Sequence, residues 1–141
     1  MPGVLLVSHG NLAQELLKTV EMIMGPQDGV EAVGLYPGEG MEFFRDRVSR
    51  AISKINDGRG VLIFADLFGG TPFNSCVSLV TDKGFKTPVD IVTGMNLPMV
   101  IEACTFKNIK NLTELGEAVK AVVTSGVKFF SDLLPDESRL A

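Results

Sequence analysis

The chain has no tryptophan, one tyrosine, one histidine and two cysteines among its 141 residues. The two cysteines, Cys76 and Cys104, lie far apart, and with a single histidine they supply no zinc ligand set at any familiar spacing. Both read as small buried hydrophobes, since a chain of this length buries a core without disulfides or metal. The formal net charge is -4 and no basic stripe appears, which excludes nucleic acid as a partner. No apolar run approaches the roughly 20 residues needed to span a bilayer. No basic segment precedes the apolar Val4-Leu5-Leu6-Val7, so this start does not read as a signal peptide. A soluble, cytoplasmic protein is expected. There is no P-loop, no Rossmann glycine fingerprint and no acidic magnesium cluster near His9, so neither a metal nor an organic cofactor is expected.

What remains is an ordinary globular balance of apolar and charged residues at the length of one domain. That domain is expected over residues 1–134, with Pro135 to Ala141 as a polar tail. Val4 to Val7 is a short apolar run suited to a strand buried on both faces. Ser8-His9-Gly10-Asn11 interrupts it. Leu12, Leu16, Leu17, Val20 and Met24 then recur at helical spacing, and Gly25-Pro26 stops the helix. Val30 to Tyr36 predicts a second strand and Pro37 to Gly40 a loop. Met41, Phe44, Val48, Ala51, Ile52 and Ile55 mark a second amphipathic helix. Val61 to Ala65 predicts a third buried strand. Thr71-Pro72 reads as an N-cap with proline at the first helical position, opening a helix to about Lys83. Val89 to Val92 is a fourth strand. One helix begins near Asn96 or Leu97, and another runs from about Thr113 to Thr124.

Strands that alternate with helices give an α/β fold with a doubly wound, mostly parallel sheet. Sites in such folds sit outside the carboxyl ends of the strands, at the switch point. His9 ends the first strand and Asp66 the third. If those strands are neighbours, the two side chains meet. An imidazole can carry a phosphoryl group, provided something fixes which ring nitrogen keeps the lone pair. A carboxylate that accepts the Nδ1 hydrogen leaves Nε2 free to attack and steadies the cationic ring that results. Asp66 is the candidate carboxylate. Gly10, Asn11, Gly69, Gly70 and Thr71 are the candidate phosphate-binding residues, because two helices start beside the site and helix N-termini donate backbone hydrogen bonds to anions.

Plainer readings exist for each residue. A histidine after a strand can be a polar loop residue, Asp66 a turn residue, and Gly69-Gly70-Thr71-Pro72 a tight turn before a capped helix. Met22, Met24, Met95 and Met99 read as core or rim packing, and Glu39 and Glu42 as solvated. Ser8, His9 and Asp66 could be taken for a hydrolase triad, but the G-x-S-x-G elbow is missing. The fold alone also admits a flavodoxin-like nucleotide or flavin binder.

Val7-Ser8-His9-Gly10, the stretch Ala65-Asp66-Leu67-Phe68-Gly69-Gly70-Thr71-Pro72-Phe73-Asn74, and Val92-Thr93-Gly94-Met95-Asn96-Leu97-Pro98-Met99 resemble the IIA component of the mannose/fructose/sorbose class of the bacterial sugar phosphotransferase system. The resemblance covers Met1 to about Phe130. It implies a four-stranded parallel sheet, expected in the order 2-1-3-4, with a fifth strand exchanged across a homodimer. It implies transfer of phosphate from the phosphocarrier protein HPr to His9 and onward to a separate IIB component, the membrane sugar permease being reached only indirectly. His9 matches the phosphorylated histidine and Asp66 its carboxylate partner. Thr71 stands where the family often has serine, so a hydroxyl is kept. The same motifs also suit a regulatory module whose phosphorylation state is read by a partner. The fifth strand falls on Val127 to Phe130, where Lys128 interrupts the apolar residues and Ser131 follows. Such a strand must pair with a sheet edge. The residues leave open whether that edge is its own subunit's; the resemblance implies a neighbour's.

Overall fold

Two strands with continuous apolar runs, Val4 to Val7 and Val61 to Ala65, form the centre of the sheet because helices cover both faces. The computed structural model describes residues 1–138. β1 (Gly3–His9) and β3 (Val61–Ala65) lie side by side, flanked by β2 (Val30–Leu35) and β4 (Val89–Val92), all parallel, in the order β2-β1-β3-β4. The helices are α1 (Leu12–Met24), α2 (Met41–Ile55), α3 (Thr71–Val80), α4 (Leu97–Phe106) and α5 (Leu112–Lys120). The expected α/β class and strand order are both present.

Side chains alternate across a strand, so each central strand feeds two cores. Val4, Leu6, Leu62 and Phe64 pack with Val20, Val100, Ala103, Leu115 and Val119 from α1, α4 and α5. Leu5, Val7, Ile63 and Ala65 pack on the other face with Phe44, Val48, Ile52 and Cys76 from α2 and α3. Each fully buried Leu, Val, Ile or Phe stabilises the fold by about 1.5–3 kcal/mol relative to exposure. Cys76 and Cys104 are buried free thiols, as expected. Burial pushes Cys76 up to about 12 and Cys104 up to about 11, so both stay protonated and unreactive near neutral pH. Among the described residues, no helix is long and apolar enough to cross a membrane.

Several details differ from the sequence reading. Leu12 points to solvent, and Ala13 takes the inward place beside it. Met95 and Met99 are buried and Met24 packs on the core, but Met22 is 88% exposed. α3 ends at Val80 rather than Lys83, and α5 at Lys120 rather than Thr124. α5 also starts earlier, at Leu112, because Asn111 and Glu114 form a reciprocal capping box.

The C-terminal segment does not pair within its own subunit, one of the two arrangements the residues left open. Val127 to Phe130 forms no strand within the chain, and Phe130–Leu133 is a 3₁₀ turn. The Asn96 Nδ2 group donates to the Val123 carbonyl at 3.2 Å, and Gly126 packs so closely on Pro98 that a Cβ would lie 2.6 Å from its ring. These contacts set where the segment leaves the body, and among the described residues it pairs with no strand. Val127, Phe129, Phe130 and Leu133 are left exposed. Of the expected tail, Asp136–Ser138 forms another short 3₁₀ turn, and residues 139–141 lie outside the described residues.

Candidate functional site

The sheet brings His9 and Asp66 together through one register. Val7 lies opposite Ala65, so the next residues of β1 and β3 emerge side by side at the carboxyl edge. The Asp66 N–H donates to the Val7 carbonyl at 3.2 Å, which anchors the carboxylate's own backbone. Asp66 Oδ2 then accepts the His9 backbone N–H at 2.9 Å and lies 2.8 Å from His9 Nδ1. An ionised carboxylate only accepts, so the ring donates from Nδ1 and the lone pair resides on Nε2. The His9 side chain is 50% exposed and that of Asp66 10%. The ring that carries Nε2 is thus half exposed, while the carboxylate that holds Nδ1 is largely buried. The second carboxylate oxygen, Oδ1, is buried and accepts no hydrogen bond from the described residues.

Three glycines shape this corner. Gly10 turns the chain out of β1 with φ 55°. Its carbonyl crosses over Gly34 in β2, where a Cβ would lie 2.0 Å from that oxygen. Gly34 is a site-shaping residue that sequence reasoning missed; its only signal was a lone glycine inside a strand pattern. Gly70 lies beside the imidazole, where a Cβ would sit 2.9 Å from His9 Cε1 and 3.6 Å from Nε2. Its φ of -73° suits any residue, so Gly70→Ala should fold normally. The added methyl should push the half-exposed ring off Asp66. Stability is expected to fall by no more than the ring's bond to Asp66 contributes, about 1–3 kcal/mol, leaving the protein folded, while phosphoryl acceptance at His9 should fall. Wild-type rates in Gly70→Ala would show that the ring position has slack.

The candidate phosphate-binding residues divide. The Gly10 N–H already donates to the Leu35 carbonyl at 2.7 Å, and the Gly70 N–H to the Leu67 carbonyl at 3.2 Å, so neither is an available donor. Gly69 provides the positive φ of the turn, 78°, and its carbonyl accepts from Asn74 Nδ2 at 3.0 Å. Thr71 is not the cap of α3. Gly70 takes that place, and Thr71 is the exposed first helical residue with no side-chain cap bond. Because Pro72 has no N–H, the donors α3 offers an anion are the backbone groups of Thr71 and Phe73. Asn11 caps α1 by position, but its Oδ1 accepts the Tyr36 hydroxyl at 2.7 Å.

Ser8 is buried, with its hydroxyl accepting the Ala13 N–H at 2.8 Å and reaching the Gly10 carbonyl at 3.4 Å. It braces the His9 corner and is not available as a hydrolase nucleophile. Glu39 is not solvated: it accepts the Tyr36 N–H at 3.2 Å and pairs with Arg47 at 2.6 Å. Glu42 is exposed, as expected. No group of three or more His, Cys, Asp or Glu side chains is placed to hold a metal ion among the described residues.

Comparison with known proteins fits this geometry. The sequence profile of the family described as "PTS system fructose IIA component" matches residues 3–123. The mannose-specific EIIAB component of Escherichia coli (strain K12) is 34% identical over 100 residues, covering 71% of this chain and 30% of that protein. The chain therefore spans less than a third of that relative's length. The fructose-specific EIIA component of Bacillus subtilis (strain 168) is 28% identical over 134 residues, covering 95% of this chain and 90% of that one. The crystal structure of a phosphotransferase system component EIIA from Streptococcus agalactiae superposes with a TM-score of 0.84 at 28% identity, covering 94% of this chain and 99% of that one. With more than half its length matched by the family profile, and with His9 and Asp66 joined at the switch point, the chain belongs to the PTS fructose IIA component family.

Proposed function

We propose that the chain is a phosphoryl carrier on the cytoplasmic side of a sugar uptake system. His9 takes a phosphoryl group from phosphorylated HPr and passes it to a separate IIB component, through which the membrane permease is reached. The observation that carries this reading is the single-sided hold on the imidazole: Asp66 engages Nδ1 and leaves Nε2 half exposed. In acceptance, the Nε2 lone pair attacks phosphorus, the bond to the donor breaks, and the ring becomes cationic with Nδ1 still donating to Asp66. Donation to IIB is the reverse step with a new acceptor. Backbone N–H groups of Thr71 and Phe73 meet the phosphoryl charge at the start of α3. Neither metal nor organic cofactor enters. Incubation with phosphorylated HPr, followed by intact-mass measurement, should show one acid-labile adduct that cognate IIB removes and EDTA does not prevent. An acid-stable adduct, or no adduct, overturns the reading.

The same proposal includes a homodimer. Among the described residues β4 pairs only with β3, so its outer edge is open there, and a groove of about 590 Å³ runs beside it past Asp90, Ile91, Leu112, Gly116, Glu117 and Lys120. The exposed Val127, Phe129, Phe130 and Leu133 have no partner strand in their own chain. Exchange of this segment onto the β4 edge of a second copy satisfies both surfaces at once. Truncation at Gly126 should turn a dimer into a monomer or aggregate by light scattering. A truncated chain that stays dimeric and equally stable rules out the exchange.

A further inference from the structure

Among the described residues, three helices begin on an asparagine, and only one of those asparagines leaves its helix uncapped. Asn96 Oδ1 accepts the Met99 N–H at 3.0 Å, and Asn111 Oδ1 accepts the Glu114 N–H at 2.9 Å. In both, the bond goes to the third residue of the helix, as capping requires. The equivalent donor in α1 is the Gln14 N–H, and Asn11 does not take it. Asn11 Oδ1 is held instead by the Tyr36 hydroxyl at 2.7 Å, and that hydroxyl accepts from Gln14 Nε2 at 3.1 Å.

Tyr36 is well placed to hold it. Leu35 pairs with His9 across the β1–β2 ladder, so Tyr36 leaves the sheet beside the His9 corner. Its backbone is fixed by Glu39, which is tied in turn to Arg47, and Arg47 also donates to the Gly34 carbonyl at 2.9 Å. On the buried side Ser8 has taken the Ala13 N–H. The Leu12 and Gln14 N–H groups have no acceptor among the described residues. They open the helix that starts three residues after His9.

Resting on the proposed function, we infer that Tyr36 is a positioning residue for phosphoryl acceptance: by holding the Asn11 oxygen, it keeps the α1 N-terminus uncapped for the anion carried on His9. A capping oxygen and a phosphoryl oxygen compete for the same donors. An asparagine free to turn inward would stabilise the helix and would have to be displaced before an anion could bind.

The test uses phosphoramidate, a small donor that needs no docking partner. His9 Nε2 forms a bond to phosphorus, the phosphoramidate P–N bond breaks, and its nitrogen leaves as ammonia. Acceptance is followed by intact mass, and phosphohistidine lifetime by loss of the adduct, in the full chain. Tyr36→Phe should slow acceptance about two- to fivefold, the size of one helix-terminus interaction with an anion, and shorten the adduct's lifetime. Its melting temperature should stay unchanged or rise, because the freed Asn11 caps α1. Adding Asn11→Ala to Tyr36→Phe removes the competing oxygen and should return acceptance toward the wild-type rate. Tyr36→Phe at wild-type rate, a double variant as slow as Tyr36→Phe, or a loss of melting temperature that tracks the loss of rate each overturns the inference. If wild-type chain forms no adduct on His9, the proposed function itself has failed, which the variants cannot mimic.

Discussion

Replacing His9 with alanine should abolish phosphoryl acceptance, with no residual slow transfer. His9 is the only histidine in the chain, so no second imidazole can form an acid-labile phosphorus–nitrogen bond. The other nucleophiles do not substitute. Ser8 is buried and committed to Ala13 and Gly10, and the Cys76 and Cys104 thiols are buried and protonated. The fold should survive the change. His9 ends β1 with a half-exposed side chain, and its backbone N–H still bonds Asp66 Oδ2 after truncation. Losing the ring's hydrogen bond to that carboxylate costs on the order of 1–3 kcal/mol, well short of the stability of a domain this size. Intact mass after exposure to phosphorylated HPr is the measurement. An acid-labile adduct on folded His9→Ala removes His9 from the mechanism and would leave the exposed Nε2 without a role.

How much of this was legible in the amino-acid sequence depends on the distance over which each feature is determined. The four strands were legible because a strand covered on both faces needs a continuous apolar run, and the meeting of His9 with Asp66 followed from placing both at strand ends in a doubly wound sheet. Features that depend on register were not. Gly34 matters because it lies opposite Ser8 under the Gly10 carbonyl, and Glu39 is paired rather than solvated because Arg47, two turns into the next helix, reaches back to it. Thr71 was misplaced by one residue because glycine can serve as a helix cap and proline fits either of the first positions. The segment from Val127 to Phe130 carries a strand's alternation, but a strand is a property of two edges, and the sequence of one edge does not say where the other lies. Tyr36 gave no signal, because its bond to Asn11 depends on the β1–β2 register and on no residue near it in the sequence.

Asp66→Asn separates the two tasks a carboxylate can perform for His9, because they differ in size. One task is choosing the tautomer. If the asparagine amide turned its NH₂ toward Nδ1, the ring's lone pair would move to that atom and the proton to Nε2; an imidazole held in the wrong tautomer costs about 10⁴-fold in rate. The other task is charge. A neutral oxygen in the same place still accepts from Nδ1 but supports the cationic ring less, by about 1.5–3 kcal/mol, which corresponds to about ten- to a hundredfold. The geometry decides between them. Oδ2 accepts two donors, the His9 backbone N–H at 2.9 Å and Nδ1 at 2.8 Å. The backbone group cannot reverse its role, so an asparagine here must present oxygen at that position and its NH₂ at the buried Oδ1 position. The tautomer is therefore kept and the charge is lost. Single-turnover acceptance from phosphorylated HPr should fall about ten- to a hundredfold, in a protein somewhat destabilised by the buried amide donors. A fall near 10⁴-fold would mean the amide has flipped against the backbone donor, and an unchanged rate in folded protein would take Asp66 out of the mechanism.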